Sequence, residues 1–274
     1  MIPTPPRRLF AGVALDLGSA RSRAWTSGRR MILDVPTVTF HGGGAVYPIR
    51  RGAIVDTPGT ARMLDRLLGH RLPRFGRPLL ILTAPVLGGV AYRAEARVAV
   101  EVLRPRAVLT VPTARAVASA ADADLARPLL VVDIGAHLTE VALLAEGAVV
   151  DARHTALGTS DLDRRISPTT VPASPSPSPD PSPPLSPDPG AHITDCVVAM
   201  VTAMLEQDRT PRTRVALRRG ALLAGGGALF PDISCGLAAQ LHAPVQLVPA
   251  PHTAAVRGAA KLLRAAHGHP STPR

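Results

Sequence analysis

The sequence predicts an α/β protein of two related halves that face a common ligand, and three observations carry this prediction. An apolar run that ends in Asp, an apolar residue and Gly occurs twice, at residues 13–18 and at residues 130–135. Each copy is followed by a second strand-like run and then by alternating helix-like and strand-like segments, as expected for a mixed sheet. The chain also has 274 residues, 46% of them hydrophobic, which suffices for a substantial core.

The first half is predicted to open with a three-stranded meander. Its strands are expected at residues 13–17, 22–26 and 31–35, and the glycines at residues 41–44 predict a flexible loop. Thr57-Pro58 is typical of a helix start, with Thr as the N-cap and Pro in the first turn. The remaining elements of this half are expected as a strand at 79–83, a helix at 90–103, a strand at 107–111 and a helix at 113–121.

The second half repeats the strand-rich opening, with strands expected at residues 129–133, 139–144 and 148–153 and a helix starting at residues 161–166. Residues 168–190 interrupt the pattern, because ten of these 23 residues are Pro and five are Ser. Such a segment predicts an extended, solvated linker of polyproline II character, or alternatively a Pro-rich ligand for other modules. After it we expect a helix at 193–205, a strand at 221–223, a helix at 233–241, a strand at 245–248 and a helix at 253–266.

Charge and composition exclude some classes of function. The net charge is +11, from 30 Arg and one Lys, but the arginines are scattered without a dense block or interleaved aromatics, so no nucleic acid is expected as a partner. Surface solvation is the expected role of these charges, and weak attraction to anionic lipid is the alternative.

Cys196 and Cys235 have neither metal-ligand spacing nor a disulfide framework, which indicates a reducing cytosol. The apolar stretch at residues 79–92 is too short and broken to span a bilayer, and no signal peptide is expected.

The repeated motif has a chemical interpretation, because a carboxylate at the end of a buried strand needs a partner. Asp16 is followed by a tight turn whose N–H groups, with the hydroxyls of Ser19 and Ser22, can hydrogen-bond phosphate oxygens. The carboxylate can hold Mg²⁺ through water. An ordinary strand end is the competing interpretation of one copy alone, and the second copy, at Asp133, favours a phosphate site. A third strand runs into the glycines at residues 225–227, which allow close approach of the backbone to a ligand.

In this order the motifs resemble those of the actin/Hsp70/sugar-kinase superfamily, and most of all those of bacterial actin homologues of the MreB type. The resemblance covers almost everything except the linker and both ends. It is carried by residues 16–22, 35–38, 47–56, 132–142, 157–163, 223–229 and 251–258. It implies an actin-like (ribonuclease H-like) fold of two halves around a nucleotide cleft, at residues 1–124 and 125–274, with the second half interrupted by the disordered linker.

The resemblance also implies that parts of the family's usual architecture are missing. Only residues 37–47 fill the place of a peripheral subdomain in the first half, and the linker replaces most of a larger insertion in the second half. We therefore expect the two core subdomains with the peripheral subdomains largely absent.

The cofactors that the resemblance implies are ATP and Mg²⁺, with Asp16 and Asp133 as the metal ligands. The residues expected to bind the nucleotide and its phosphates are Asp16, Gly18, Ser19, Arg21, Ser22, Asp133, Gly135, Thr139, Gly158, Asp161, Gly225, Gly226 and Gly227.

The chain departs from the family at two points of the expected chemistry. Ala136, His137 and Leu138 stand where the family's second loop is rich in Gly and Thr, which predicts weaker phosphate binding, with a new contact from His137 as the alternative. The family's water-activating Glu is expected just before a Pro, and here Val111 precedes Pro112. Without a group that orients the attacking water, phosphoryl transfer is slow, so the chain is expected to be at most a weak ATPase with no catalytic residue of its own.

The function implied is that of a rod shape-determining, MreB-like cytoskeletal protein, which takes part in cell morphogenesis or cell-wall organisation. Its expected partners are full-length MreB-type filaments or cell-wall synthesis proteins, in the cytoplasm or at the inner face of the membrane. Residues 5–10 leave a peripheral membrane contact open. The alternatives are an active ATPase of the same superfamily and a non-catalytic module that binds partners through its Pro-rich linker.

Overall fold

The computed structural model describes residues 11–28, 31–41, 44–72, 77–162 and 189–268. The first half contains, in chain order, β1 (Gly12–Leu17), β2 (Arg21–Thr26), β3 (Ile32–Pro36), β4 (Thr39–His41), β5 (Gly44–Val46), β6 (Ile49–Arg50), β7 (Ala53–Ile54), α1 (Thr57–Leu64), β8 (Leu79–Ala84), α2 (Gly89–Val100), β9 (Ala107–Pro112) and α3 (Thr113–Ala120). The second half contains β10 (Leu129–Ile134), β11 (Thr139–Ala145), β12 (Ala148–Thr155), α4 (Pro189–Gln207), α5 (Arg212–Arg219), β13 (Ala221–Ala224), α6 (Pro231–Leu241), β14 (Val245–Leu247) and α7 (Ala254–Gly268).

Two five-stranded sheets with the same arrangement form the centre of the molecule. The first has the order β3-β2-β1-β8-β9 and the second the order β12-β11-β10-β13-β14. In each sheet an antiparallel meander of three strands is extended by two parallel strands. The Asp-apolar-Gly motif ends the central strand of each sheet, β1 or β10. The prediction of an α/β fold with two related halves is therefore confirmed.

The outer face of each sheet is covered by helices of its own half. In the first half, α1 and α2 pack on the sheet through apolar residues such as Leu64, Ala96 and Val100. In the second half, α4, α5 and α6 cover the sheet, with Val197 of α4 and Leu237 of α6 fully buried. The strand β8 can be covered on both faces because all six of its residues are buried.

The helices α3 and α7 lie between the two sheets and are exchanged between the halves. Val117 of α3, a first-half helix, packs with Val131 of the second sheet. Val256 of α7, at the end of the second half, packs with Ala14 and Ile81 of the first sheet. The two halves therefore share their inner helices and are not simply placed side by side.

The structure adds elements that the apolar pattern did not predict. His41 and Gly44, the ends of the segment expected as a flexible loop, belong to β4 and β5, which are paired as a hairpin, and residues 42–43 lie outside the described residues. A second small hairpin pairs β6 with β7. Helix α5 was missed because four of its eight residues are Arg, and Asp208 accepts the N–H of Thr213 in its first turn at 2.6 Å.

Some predicted segments lie outside the described residues. These are the N-terminal residues 5–10, most of the helix expected at 161–166 and most of the linker at 168–190. Residues 160–162 are helical at the edge of the described part, and α4 begins at Pro189, inside the range assigned to the linker.

Candidate functional site at the paired turns

Two tight turns with the same hydrogen-bond geometry end the central strands of the two sheets. In the first, the N–H of Gly18 donates to the carbonyl of Arg21 at 3.1 Å, and in the second the N–H of Gly135 donates to the carbonyl of Leu138 at 2.8 Å. A Cβ on either glycine would lie within 3 Å of that same carbonyl, 2.7 Å away at Gly18 and 2.9 Å away at Gly135. Glycine is thus required by close approach, and the sequence repeat is also a repeat of backbone geometry.

The carboxylates that precede the turns come together across the two halves. Burial, together with the negative charges of Asp16 and then Glu140, raises the pKa of Asp133 to about 7, against the opposing effect of Arg23. Burial also raises the pKa of Asp16, against the opposing effects of Arg23 and a hydrogen bond from Thr83. The site is therefore an acidic junction in which one cationic side chain acts on both carboxylates.

In the first sheet, a row of three charges crosses the strands. The strand register places Asp16 of β1 opposite Arg23 of β2, and Arg23 opposite Asp34 of β3. The Nη1 atom of Arg23 lies 3.7 Å from Oδ2 of Asp16, and its Nε donates to Oδ2 of Asp34 at 3.2 Å. The hydroxyl of Thr83 in the neighbouring β8 donates to Oδ1 of Asp16 at 2.8 Å.

In the second sheet, the equivalent row carries no arginine. Asp133 of β10 is opposite Glu140 of β11, and Glu140 is opposite His154 of β12. The Glu140 side chain is 5% exposed and reaches into the first half. There Oε1 accepts the N–H groups of Val86 at 2.8 Å and Leu87 at 3.3 Å. Burial raises the pKa of Glu140, and these two hydrogen bonds counteract the effect.

The glycines of the third loop pack against the second turn. Gly225 has a φ of +85°, and a Cβ there would lie 2.5 Å from Oδ1 of Asp133. A Cβ on Gly227 would lie 2.2 Å from Cγ2 of Ile134. This loop therefore reaches Asp133 through backbone alone, in the manner that its glycines predicted.

Several predicted site residues form hydrogen bonds with protein groups at or near the turns. The hydroxyls of Ser22 and Thr37 are hydrogen-bonded to each other at 2.8 Å, and Thr37 donates to the carbonyl of Gly18. Thr139 donates to the carbonyl of Leu157. Asp161 accepts the N–H of Gly158.

The Gly158 segment is itself docked on the second turn, because the N–H of Thr159 donates to the carbonyl of Gly135. Arg21 is paired with Asp34, on the edge of the sheet, and is 45% exposed. The structure thus brings Asp16, Asp133 and the third glycine loop together, and it gives Ser22, Thr139 and Asp161 structural partners.

Protein groups already occupy part of the space around the turns. The N–H of Gly52, in the turn between β6 and β7, donates to Oγ of Ser19 at 2.8 Å. Gly52 has a φ of +75°, and a Cβ there would lie 2.9 Å from Cδ2 of Leu138 in the second turn. Leu138, one of the departures noted in the sequence, therefore packs against the first half at the mouth of the paired turns.

Sequence reasoning missed two charged residues of the site, Arg23 and Glu140. Both could have been found by counting the hairpin register outward from the turn, because Gly18 and Arg21 close the first turn and place Asp16 opposite Arg23. The same count in the second half places Asp133 opposite Glu140. The sequence signal that could have identified both residues is a charged residue directly opposite the motif Asp in the hairpin.

The carboxylates fit a divalent metal ion poorly. Mg²⁺ in nucleotide sites uses one or two carboxylates with phosphate oxygens and water, so Asp16 and Asp133 would suffice by number. However, the guanidinium of Arg23 already lies beside Asp16 and repels a second cation. Within the described residues no group of three or more His, Cys, Asp or Glu side chains is placed to hold a metal ion.

A duplicated five-stranded sheet, a matched pair of turns and inner helices shared between the halves define a protein of the actin-like fold class. Residues 43–169 match the family model described as MreB/Mbl protein. The chain resembles the crystal structure of MreB5 of Spiroplasma citri bound to ADP at a TM-score of 0.76 and 17% identity, covering 93% of this chain and 97% of that chain. The chain therefore has the actin-like fold and is similar to the MreB/Mbl family over residues 43–169.

Two further solved structures have the same fold. The MamK double helical filament gives a TM-score of 0.74 at 16% identity, covering 95% of this chain and 99% of that chain. The ethanolamine utilization protein EutJ from Carboxydothermus hydrogenoformans gives a TM-score of 0.62 at 15% identity, covering 94% and 91% of the two chains. No curated protein matches the chain by sequence.

Proposed function

We propose that this MreB-like protein is a cytoskeletal protein of the actin family that binds ATP between its paired turns and hydrolyses it weakly or not at all. The observation that carries the proposal is the pair of equivalent turns at the ends of β1 and β10, with Asp16 close enough to Asp133 for its negative charge to raise the pKa of Asp133. The MreB5 structure with the same fold contains ADP. In this chain, the third glycine loop would lie against the bound nucleotide beside Asp133.

Weak hydrolysis is proposed from the residue that stands before Pro112. Val111 lies opposite Thr83 in the paired strands β8 and β9, and Thr83 donates a hydrogen bond to Asp16. The position where the resemblance expects a carboxylate is thus one strand away from the acidic junction, and it carries an apolar side chain. An apolar side chain cannot orient a water molecule for attack on a phosphate.

The proposed cellular role is in cell shape, through assembly with full-length MreB-type filaments or with cell-wall synthesis proteins. It is supported by the similarity to MamK, whose structure is a double helical filament. We place this role in the cytoplasm, at the inner face of the membrane. None of the helices in the described part of the chain is both long and apolar enough to cross a bilayer.

Titration with ATP tests nucleotide binding, with the wild-type protein compared with Asp16→Ala. We expect Asp16→Ala to weaken binding by about tenfold or more, since it removes the buried carboxylate that fixes Arg23 beside the turn. Asp65→Ala, a substitution in the helical turn after α1, is the matched control. Equal affinities of Asp16→Ala and the wild type would make Asp16 a purely structural residue.

A pelleting assay tests the cytoskeletal role. The protein should sediment with full-length MreB-type filaments, and sedimentation should depend on ATP. Failure to sediment either alone or with such filaments would leave a nucleotide-binding protein outside the cytoskeleton.

A further inference from the structure

The guanidinium of Arg23 is held at two points within the first sheet. Its Nε donates to Oδ2 of Asp34 at 3.2 Å, and its Nη1 lies 3.7 Å from Oδ2 of Asp16. The side chain is 15% exposed, so it is fixed along the sheet and does not extend into solvent. Arg23 is thus a positive charge of defined position at the edge of the paired turns.

The second half shows that this charge is not required by the fold. In the repeated architecture, the residue opposite Asp133 is Glu140, the counterpart of Arg23 opposite Asp16. Both sheets form the same three-stranded meander, with opposite charges at this position. The asymmetry leaves Asp16, Asp133 and Glu140 as acidic groups, with the single cation of Arg23 acting on both Asp16 and Asp133.

We propose that Arg23 is a built-in cation of the nucleotide site, so that phosphate binds this chain through its guanidinium and without a divalent metal ion. The proposal rests on the proposed nucleotide binding and names the group that neutralises the phosphate. It differs from the expectation that Asp16 and Asp133 hold Mg²⁺.

The contacts of Arg23 leave it able to bind phosphate. The Nη1 atom lies 3.7 Å from Oδ2 of Asp16, so this contact is an ion pair longer than an ordinary hydrogen bond. Arginine presents several N–H donors in a planar fork and binds phosphate oxygens in a bidentate manner. The Nε contact to Asp34 fixes the direction of that fork before a ligand arrives.

The same arrangement disfavours a metal ion. A divalent ion between Asp16 and Asp133 would lie beside the guanidinium, and the two positive charges would repel each other in a buried site. The guanidinium supplies part of the neutralisation that the ion would provide. Metal-independent binding is therefore the expected behaviour.

The test is the affinity for ATP measured in EDTA and in excess MgCl₂ with the wild type, Arg23→Leu and Arg153→Leu. The wild-type dissociation constants should agree within about threefold, and Arg23→Leu should weaken binding in EDTA by about 10- to 100-fold, as loss of a charge-assisted hydrogen bond predicts. Arg153→Leu is the matched control, because Arg153 also pairs with an aspartate, Asp151, and lies on the edge strand of the second sheet. A wild-type affinity that falls more than about tenfold in EDTA would overturn the proposal.

A second readout separates this proposal from nucleotide binding itself. The melting temperature of the nucleotide-free protein should not change with MgCl₂ in the wild type, and it should rise with MgCl₂ in Arg23→Leu. If the wild type binds ATP in neither buffer, the proposed function fails, while a Mg²⁺-dependent rise in its melting temperature would refute the role of Arg23. Arg23→Lys retains the charge if Arg23→Leu does not fold. It should keep metal-independent behaviour, and a gain of Mg²⁺ dependence in this variant would also refute the proposal.

Discussion

At the scale of single residues, the paired carboxylates are equivalent in sequence and unequal in surroundings. Asp16 has Arg23 and Thr83 as close partners. Asp133 is buried near two other acidic groups, Asp16 and Glu140, and its pKa is raised to about 7. The folded protein therefore holds a proton at Asp133 that the unfolded chain releases at a much lower pH.

The first prediction concerns the pH dependence of stability. Because the folded-state pKa of Asp133 is above its unfolded value of 3.8, the stability from its protonated form is complete below that value and is lost as the pH rises through about 7. Asp133→Asn should abolish this loss. In metal-free buffer at pH 8, we expect the variant to be more stable than the wild type by roughly 1–3 kcal/mol.

Urea denaturation of both proteins from pH 4 to pH 8 checks this prediction. The difference in the free energy of unfolding should grow across this interval and level off above pH 7. A constant difference would show that Asp133 is ionised throughout.

The second prediction concerns the missing carboxylate at Val111. Val111→Glu places a carboxylate opposite Thr83, next to the acidic junction, where it can orient water. We expect ATP hydrolysis to increase by about 10- to 100-fold in a phosphate-release assay. Leu109→Glu, two residues earlier in the same strand, should leave the rate unchanged. If both variants hydrolyse ATP at the same rate, the protein lacks the correct position of the nucleotide as well as the carboxylate.

Some residues of the site could be predicted from the sequence, and others could not. The repeat of Asp16 and Asp133 indicated that the two halves share a site, since strand ends of equivalent motifs meet in a duplicated fold. Arg23 and Glu140 were not predicted, because a charged residue inside a strand is ordinarily an exposed one and only the register shows that it faces the motif Asp. A side-chain contact across halves, such as that of Glu140 with Val86, has no local signal in the sequence.

At the scale of elements, α3 and α7 cross with their backbones close together. A Cβ on Gly258 of α7 would lie 1.6 Å from the carbonyl oxygen of Ala116 in α3. Both helices are rich in alanine at this contact, with Ala116 and Ala259 fully buried. Small side chains therefore set the distance between the helices, and through them the spacing of the two sheets.

The third prediction is that Gly258→Ala destabilises the protein by about 2–4 kcal/mol, because overpacking at a backbone contact forces the helices apart. Chemical denaturation measures the change. Gly28→Ala is the control, since a Cβ on Gly28 would meet nothing within 4 Å. A loss of less than about 0.5 kcal/mol would mean that the helices separate at little cost.

Most elements could be predicted from the sequence because their apolar patterns are strong. The buried strands β1, β8 and β10 are continuous apolar runs, and they were located to within one or two residues. The short hairpin of β6 and β7 depends on pairing of two-residue strands, for which no periodic pattern exists. Helix α5 is supported by the hydrogen bond from the N–H of Thr213 to Asp208 and by the burial of Ala216, although its arginines obscure the apolar face.

At the scale of the whole molecule, Glu140 connects the two halves next to the paired turns. Its carboxylate belongs to the second sheet and accepts backbone N–H groups of Val86 and Leu87 from the first half. Any opening of the cleft must stretch or break these hydrogen bonds.

The fourth prediction is that Glu140→Gln loosens this connection. Replacing the carboxylate by a neutral amide weakens both hydrogen bonds, and we expect a loss of about 1–2 kcal/mol in stability. Hydrogen exchange should become faster at Val86 and Leu87 in particular. Glu95→Gln, whose partner Thr57 belongs to the same half, is the control. Unchanged exchange at Val86 and Leu87 would show that the halves are held by other contacts.

The exchange of α3 and α7 between the sheets determines how the chain can be divided. A cut between residues 124 and 125 would leave the first piece without the helix that covers Ala14 and Ile81, and the second piece without the helix that covers Val131. Each piece would expose an apolar sheet face that only the other piece fits. We therefore expect the two pieces to be insoluble when expressed apart and to reassemble into one particle when produced together.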